Sequence, residues 1–222
     1  MDHYEDRADA GRYLAGKLQK YAHKSDTIVL GLPRGGIVVA FEVAQELSLP
    51  MDVFLVRKLG VPGYEELAMG AIASGGTQVL NPDVVRSIRI TSAEIQRVAD
   101  REEKELIRRE HAYRNNHAPY KVKDQTIILI DDGLATGATM RAAVSALRKQ
   151  KPFKIVVAVP VASRESCDEI GAQADEIVCG ITPPNFNAVG AWYEDFRQTS
   201  DEEVVSLLKR ANTSQQNAGQ MI

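Results

Sequence analysis

The sequence predicts an α/β fold in which a doubly wound, mainly parallel sheet is flanked by helices. Short apolar runs alternate with segments of helical periodicity, the order that builds parallel sheets with helices on both faces. Residues of unusual composition, rich in glycine or in charge, follow three of the apolar runs, near positions 30, 57 and 131. Because ligands bind such sheets at the carboxyl ends of the strands, we expect these three places to meet at one edge.

The N-terminal part contains the first strand and two helices. Residues 7–21 have helical periodicity, and residues 27–30 are an apolar run that predicts a short buried strand. A loop over 32–36, with one proline and two glycines, precedes a predicted helix over 37–47. The apolar face of the first helix is formed by Leu14, Leu18 and Tyr21.

The next segment predicts a second strand, a loop and a hairpin. Residues 52–56 predict a strand that ends at two basic residues. Residues 59–66 hold two glycines, a proline and two glutamates, which predict a mobile loop. The runs 68–73 and 77–80 predict two strands paired across a Ser-Gly-Gly turn.

A long charged helix is predicted from Ser92 to about Arg114. Thr91 and Glu94 form a capping-box signature at its start. Its apolar stripe is thin, since acidic and basic residues cover most of its surface. Two interpretations stay open: a solvated helix lying across the domain, or a helix that makes a subunit contact or supplies arginines to a site.

A buried strand over 127–130 starts the C-terminal half. The helix after it is predicted to begin with Thr139 as its N-cap residue and to run to about Lys149. The later elements are predicted as a strand over 155–159, a helix over 164–174, a strand over 176–179, an amphipathic helix that starts near Asp201, and a disordered tail over 212–222.

Composition narrows the class of protein. The chain has 222 residues, of which 44% are hydrophobic and 26% charged, as in ordinary globular domains. No apolar run approaches the length of a membrane span and the first residues are too polar for a signal peptide, so we expect a cytoplasmic protein without a membrane partner. A net charge of −3 argues against general nucleic-acid binding. Cys167 and Cys179 are the only cysteines, and we expect two small core residues in a reducing compartment, without a disulfide framework or metal cluster.

The most informative stretch is residues 127–139, Ile-Ile-Leu-Ile-Asp-Asp-Gly-Leu-Ala-Thr-Gly-Ala-Thr. Asp131 and Asp132, called the acid pair below, end a buried strand and precede a loop with almost no large side chains. Unpaired N–H groups at such a turn and helix start bind anions, and the carboxylates can accept hydrogen bonds from hydroxyls. The arrangement predicts a sugar-phosphate site. The alternative, an ordinary strand–loop–helix unit, explains the apolar run but not the adjacent acids.

This stretch resembles the phosphoribosyl-diphosphate (PRPP) motif of the type I phosphoribosyltransferases, and especially bacterial and archaeal phosphoribosyltransferase-like proteins of unassigned acceptor. The resemblance implies the type I phosphoribosyltransferase fold. It also implies a transferase that moves the 5-phosphoribosyl group from PRPP to a nitrogenous acceptor and releases pyrophosphate, with Mg²⁺ as cofactor. The family's acids map onto Asp131 and Asp132, which would hold the ribose hydroxyls, favour a cationic sugar in catalysis, and meet the metal only through ribose or water. The implied 5-phosphate loop contains Gly133, Ala135, Thr136, Gly137, Ala138 and Thr139.

The resemblance implies a pyrophosphate site on two further segments. The family's pyrophosphate loop maps onto Arg34, Gly35 and Gly36, and the family often has a non-proline cis peptide bond there. The alternative is a glycine-rich turn with a surface arginine. Arg57 and Lys58 stand where the family places basic residues before its mobile catalytic loop, where positive charge would meet the leaving pyrophosphate. The alternative is a strand that ends in two solvated bases.

The C-terminal segment after residue 180 is rich in aromatics. By resemblance, we expect one domain over 1–211, with the helix of about 91–115 as an insertion and a small hood formed by 1–24 and 180–211. The hood receives the acceptor in this family, and aromatic faces stack on flat bases. The candidate acceptor residues are Phe186, Trp192 and Tyr193. The alternative is that these aromatics form the core of a small subdomain.

Other functions use the same site. One alternative is a regulator that senses PRPP or nucleotides without catalysis, and another is a phosphoribosyl hydrolase or phosphorylase. The sequence has no P-loop, so the acid pair is not the second half of a P-loop nucleotide site, and it has no G-x-G-x-x-G, so a dinucleotide-binding fold loses its best support. The absence of G-x-S-x-G removes the usual serine-hydrolase interpretation. The expected partners are PRPP and a small-molecule acceptor, with a homodimer left open and nucleic acid disfavoured.

Overall fold

The computed structural model describes residues 3–114 and 118–219 and contains two sheets with helices around them. In chain order the elements are α1 (Arg7–Lys17), β1 (Thr27–Gly31), α2 (Gly35–Leu47), β2 (Met51–Val53), β3 (Val56–Val61), β4 (Tyr64–Ala73), β5 (Thr77–Leu80), α3 (Pro82–Ile88), α4 (Ser92–Arg114), β6 (Thr126–Ile130), α5 (Ala138–Lys149), β7 (Lys154–Val161), α6 (Arg164–Gly171), β8 (Glu176–Ile181) and α7 (Asp201–Gly219). Short 3₁₀ helices lie at Gln19–Tyr21 and Val189–Trp192.

The central sheet is parallel and has the strand order β2-β1-β6-β7-β8. Strand β6 is fully buried, and its residues face two cores in turn. Ile128 and Ile130 pack with α1, α2, α4 and α7, whereas Ile127 and Leu129 pack with α5 and α6. Both faces are therefore covered, which explains why β6 is continuously apolar rather than alternating. The predicted α/β fold is confirmed.

The second sheet differs from the prediction. The predicted strand over 52–56 is divided, since β2 ends at Val53 in the parallel sheet and β3 starts a three-stranded antiparallel sheet with the order β3-β4-β5. The predicted mobile loop over 59–66 is wrong: most of it belongs to the β3–β4 hairpin, which turns at Gly63 with φ +80°. Leu59 and Val61 are buried in the core shared with α4, and this burial holds the segment in a strand. The predicted pairing of 68–73 with 77–80 is confirmed.

Helix α4 has the predicted bounds and the predicted cap. The Thr91 N–H donates to Glu94 Oε2 at 2.9 Å, and the Glu94 N–H donates to Thr91 Oγ1 at 3.3 Å. Val98, Leu106 and other residues of one face pack against the antiparallel sheet and α7. A short helix, α3, precedes it and escaped prediction; Asn81 accepts hydrogen bonds from the first amides of α3.

Several C-terminal bounds also differ from the prediction. Helix α5 begins at Ala138, so its N-cap residue is Gly137 in the left-handed region, at φ +66°, and not Thr139. Helix α6 stops at Gly171. Helix α7 continues to Gly219 and covers residues 212–219 of the expected disordered tail, while 220–222 lie outside the described residues. No helix in the described part of the chain is both long and apolar enough to cross a membrane.

The two cysteines form a disulfide bond, so the expectation of two unbonded core cysteines is wrong. Cys167 lies on α6 and Cys179 on β8. Packing of the helix against the strand brings their Cα atoms to 6.7 Å, within the range for a disulfide. The inference of a reducing compartment, which rested on unbonded cysteines, loses that support.

Candidate functional site

The acid pair follows β6 at the centre of the parallel sheet, with β1 on one side and β7 on the other. The Asp132 N–H donates to Asp131 Oδ1 at 2.9 Å. Burial raises the pKa of Asp131 well above its usual range, and the charge of Asp132 adds to this effect. Burial also raises the pKa of Asp132, while a hydrogen bond from Arg7 opposes the rise. The two carboxyl groups can therefore accept hydrogen bonds from a ligand in a partly buried place, where the low local dielectric makes each hydrogen bond stronger than in water.

Loop 133–139 lies beside the acid pair and is anchored from below. Leu134 is 2% exposed, and its N–H donates to the Val161 carbonyl at 2.9 Å. The hydroxyl of Ser166, on α6, donates to the Ala135 carbonyl at 2.6 Å. The small residues Ala135, Thr136, Ala138 and Thr139 are exposed and lead into the N-terminus of α5. This geometry suits a phosphate group, because helix N-terminal amides and the helix dipole favour anions.

Loop 32–36 lies on the other side of the acid pair. The Leu32 N–H donates to the Ile130 carbonyl at 2.8 Å, which ties this loop to the end of β6. A Cβ atom added to Gly36 would lie 2.8 Å from Asp131 Cα, and one added to Gly35 would overlap Asp132 Oδ2. The two glycines thus allow the loop to lie directly against the acids. The peptide bond between Pro33 and Arg34 is cis, which resolves the question left by the sequence.

Arg57 and Lys58 lie within β3, not at the end of a strand, and they point to opposite faces of the sheet. Arg57 donates from Nε to Glu102 Oε2 at 2.7 Å and borders a small cavity of about 50 Å³ that also includes Pro33 and Thr139. Lys58 borders a different cavity, of about 390 Å³, between the antiparallel sheet and α5. Thr139 borders both cavities. The structure therefore places Arg57 near loop 32–36. Lys58 lies instead beside the start of α5, near Ala138 and Thr139.

Arginines near this edge are paired with carboxylates. Arg34 lies 3.8 Å from Asp201 of α7, and Arg57 is bonded to Glu102 of α4. Arg109 of α4, which the sequence did not single out, borders the same small cavity as Arg57 and bonds Glu105 at 2.9 Å. One of the interpretations left open by the sequence was that the long helix supplies arginines to a site, but the sequence did not identify Arg109. An anionic ligand in the small cavity would compete with these carboxylates for the guanidinium groups.

Arg7, at the start of α1, is a second residue that the sequence analysis missed. Its Nε donates to Asp132 Oδ2 at 2.8 Å, and 125 residues separate the two in the chain. Its Nη1 donates to the carbonyl of Arg197 at 2.8 Å. Only the fold brings these groups together, and no local pattern around Arg7 indicates it.

The aromatic segment divides into two parts. Tyr193 is 6% exposed and donates from its hydroxyl to the Asp132 carbonyl at 2.5 Å. Trp192 stacks on His3, with ring centroids 5.3 Å apart. Both residues pack in a small core with the N-terminal segment, centred on the fully buried Tyr4. Phe186 packs at the edge of this core and borders an open cavity of about 490 Å³ after β7 and β8, with Arg164 and Thr182.

The metal-ligating capacity of the site is small. Within residues 3–114 and 118–219 no cluster of three or more His, Cys, Asp or Glu side chains is arranged to hold a metal ion. The acid pair offers two carboxylates. That set fits Mg²⁺, which keeps several waters and binds through substrate phosphates rather than in an all-protein cage.

Comparisons with known proteins agree with this geometry. Residues 2–195 match the sequence profile of the phosphoribosyl transferase domain. Over 219 residues, 99% of this chain, the sequence is 45% identical to Rv0571c of Mycobacterium tuberculosis strain H37Rv, which is named as a candidate phosphoribosyl transferase. The chain spans about half of that relative, 49% of its length. The crystal structure of TT1426 from Thermus thermophilus superposes with a TM-score of 0.84 at 42% identity, over 94% of this chain and 98% of the other.

The matching profile covers residues 2–195, which include loop 32–36 after β1 and the acid pair after β6. The parallel sheet, the acid pair and the flanking loops are the parts that the sequence resemblance implied. The chain therefore belongs to the phosphoribosyl transferase domain family and has the type I phosphoribosyltransferase fold.

Proposed function

We propose that this protein transfers the 5-phosphoribosyl group from PRPP to a nitrogenous acceptor and releases pyrophosphate. The observation that supports the proposal is the position of the acid pair between two loops, with Gly35 and Gly36 against one side of it and the small-residue loop 133–139, which leads into α5, on the other. PRPP carries phosphate groups on both sides of a ribose. Its shape therefore matches this order of loop, acids and loop.

Each part of the donor has a partner in this proposal. Asp131 and Asp132 accept hydrogen bonds from the ribose hydroxyls. In their ionised form, which Arg7 favours, their negative charge stabilises the sugar cation that develops as the leaving group departs. The exposed residues of loop 133–139, Ala135, Thr136, Ala138 and Thr139, hold the 5-phosphate with their backbone amides at the start of α5. Arg34, Gly35 and Gly36 hold pyrophosphate, and Arg57 reaches it after exchanging Glu102 for the ligand. The Asp131 and Asp132 carboxylates would hold Mg²⁺ through water or ribose oxygens, and the ion would supply positive charge that offsets the charge of the leaving pyrophosphate.

For the acceptor we propose the open cavity beside Phe186. Its volume of about 490 Å³ suits a base-sized molecule, and it lies at the carboxyl ends of β7 and β8, on the ligand-binding edge of the sheet. Trp192 and Tyr193 already have partners in His3 and the Asp132 carbonyl. We therefore assign them a supporting role, in which they hold the C-terminal segment over the acid pair.

The test is incubation of the protein with Mg²⁺, PRPP and a panel of bases and amines while pyrophosphate release is followed. Release that depends on one acceptor is the expected result. Release without any acceptor would indicate a hydrolase, and binding of PRPP without release would indicate a sensor. Absence of PRPP binding would reject the assignment of the site itself.

A further inference from the structure

Arg7 is held by more contacts than its pairing with Asp132, and no role described above accounts for them. Its side chain is 11% exposed, and three groups hold the guanidinium at once. Besides the hydrogen bonds to Asp132 and to the Arg197 carbonyl, the guanidinium carbon lies 3.9 Å from the centroid of the Phe196 ring. An aromatic ring beneath the guanidinium and hydrogen bonds to two separate acceptors restrict the rotation of an arginine. Asp132 is held in turn, because one of its carboxylate oxygens is bound to a group that cannot move freely.

Arg7 also touches the loop on the other side of the acid pair. A Cβ atom added to Gly35 would lie 2.6 Å from Arg7 Nε as well as overlapping Asp132 Oδ2. The Arg7–Asp132 pair is therefore packed directly on loop 32–36. This contact joins three segments distant in sequence: the first turn of α1, the end of β6 and the start of α2.

The pairing leaves Asp132 able to bind a ligand. A carboxylate has about four lone-pair positions on two oxygens, and Arg7 uses one of them. The Asp132 side chain is 18% exposed, so part of it remains open to the site. An arginine held by Asp132 alone would be displaced when the donor binds to that carboxylate. Arg7 also contacts the Arg197 carbonyl and Phe196, so it has two partners that do not depend on Asp132.

We propose that Arg7 is a positioning residue of the donor site: it holds the Asp132 carboxylate in the orientation that accepts a ribose hydroxyl, and it couples this orientation to the aromatic C-terminal segment. The inference rests on the proposed function, since it requires that Asp132 binds a sugar hydroxyl. It identifies a residue outside the PRPP motif that determines recognition of the sugar.

The experiment compares ribose 5-phosphate with 2-deoxyribose 5-phosphate as competitors of PRPP binding. The wild-type protein should bind the ribose compound more tightly, since the deoxy compound lacks a hydroxyl that the acid pair can recognise. In Arg7→Gln this preference should fall by roughly tenfold, which is the lower end of the range for one charge-assisted hydrogen bond, because Asp132 itself is retained. Arg7→Lys, which retains the charge without the fork, should recover part of it.

Two controls separate positioning from a general effect on the fold. Arg12→Gln changes another arginine of α1, one that lies 49% exposed near Asp9 and Glu42, and it should leave the preference unchanged. Asp132→Asn should lower the preference as Arg7→Gln does, and the double variant should lose little more, because the two residues act as one unit. If Arg7→Gln does not fold, Phe196→Leu removes the ring beneath the guanidinium and keeps an apolar side chain against Tyr193, and it should lower the preference by a smaller factor.

The outcomes distinguish the two proposals. An unchanged preference in a folded Arg7→Gln variant overturns the role of Arg7 and leaves the proposed function intact. Tighter PRPP binding in that variant also overturns it, since Arg7 would then occupy the place of the sugar. A wild-type protein that binds neither PRPP nor ribose 5-phosphate rejects the proposed function, and this inference with it.

Discussion

Replacing Asp132 with asparagine tests the central assignment with little change in shape. The asparagine retains an oxygen that can accept the hydrogen bond from Arg7 Nε, now 2.8 Å long, but it carries no charge. A hydrogen bond to a charged group contributes about 1.5–3 kcal/mol and a neutral one about 0.5–1.5 kcal/mol. The loss for one ribose hydroxyl is thus about 1–1.5 kcal/mol, and for two interactions about twice that. PRPP affinity should therefore fall by roughly tenfold to a hundredfold.

The measurement is a calorimetric titration of PRPP with Mg²⁺ into the two proteins. We expect the fold to survive, because burial already disfavours the charged form of Asp132 and an amide of equal size fits the same space. Asp168→Asn is the matched control, since this carboxylate of α6 is 70% exposed and lies 3.5 Å from Arg164 on its own helix. Equal PRPP affinities for wild type and Asp132→Asn, with the variant folded, would refute the assignment.

Three further predictions follow from single contacts. Gly35→Ala should abolish PRPP binding, because the new methyl group would overlap Asp132 Oδ2. The control is Gly16→Ala, whose methyl group would have nothing within 4 Å, and this variant should bind PRPP as wild type does. Normal PRPP binding by the Gly35 variant would contradict the close approach of loop 32–36 to the acid pair. Cys179→Ser should lower the free energy of unfolding by about 3 kcal/mol, the loop-closure value for a bridge of this span, and a reducing agent should lower the Tm of wild type alone; an insensitive Tm would show that the bond does not form. Burial opposes ionisation of Glu176, but hydrogen bonds from Lys154, Lys20 and Tyr21 outweigh it and lower its pKa from 4.5 to about 2. The stabilisation by Glu176 is thus complete above about pH 4.5 and disappears as the pH falls through 2. In urea unfolding, the free energy of unfolding should be larger for wild type than for Glu176→Gln at about pH 6, and this difference should vanish near pH 2. A difference that does not depend on pH would reject the ion-pair explanation.

The local patterns of the sequence predicted much of the fold. The bounds of α4 and its reciprocal hydrogen bonds between Thr91 and Glu94 were predictable, because a capping box involves residues only three apart. Strand β6 was predictable for a similar reason. A short, continuously apolar run ending in two acids has few other solutions in an α/β protein.

Predictions failed where pairing between distant segments decides the structure. The run after Met51 looks like one strand, but its residues divide between two sheets, and Leu59 is held in the second by core contacts with α4. Arg57 and Lys58 are separated because both lie inside β3 and not at the end of a strand, and adjacent side chains of a strand face opposite ways. The spacing of Cys167 and Cys179 contained no sign of their bond, which depends on α6 packing against β8.

By itself the sequence determined the α/β class, the acid pair at the end of β6 and the small-residue loop after it. These depend on side-chain periodicity and on the chemistry of neighbouring residues, which act over a few positions. The sequence also predicted that loop 32–36 and the acids share one edge of the sheet. Only the tertiary structure decided that Gly35 packs directly on Asp132, that α4 holds Arg57 through Glu102, and that Arg7 reaches Asp132 across 125 residues. Such contacts arise when buried faces of distant elements are packed together, and no local pattern specifies which polar groups that packing will bring to the same place.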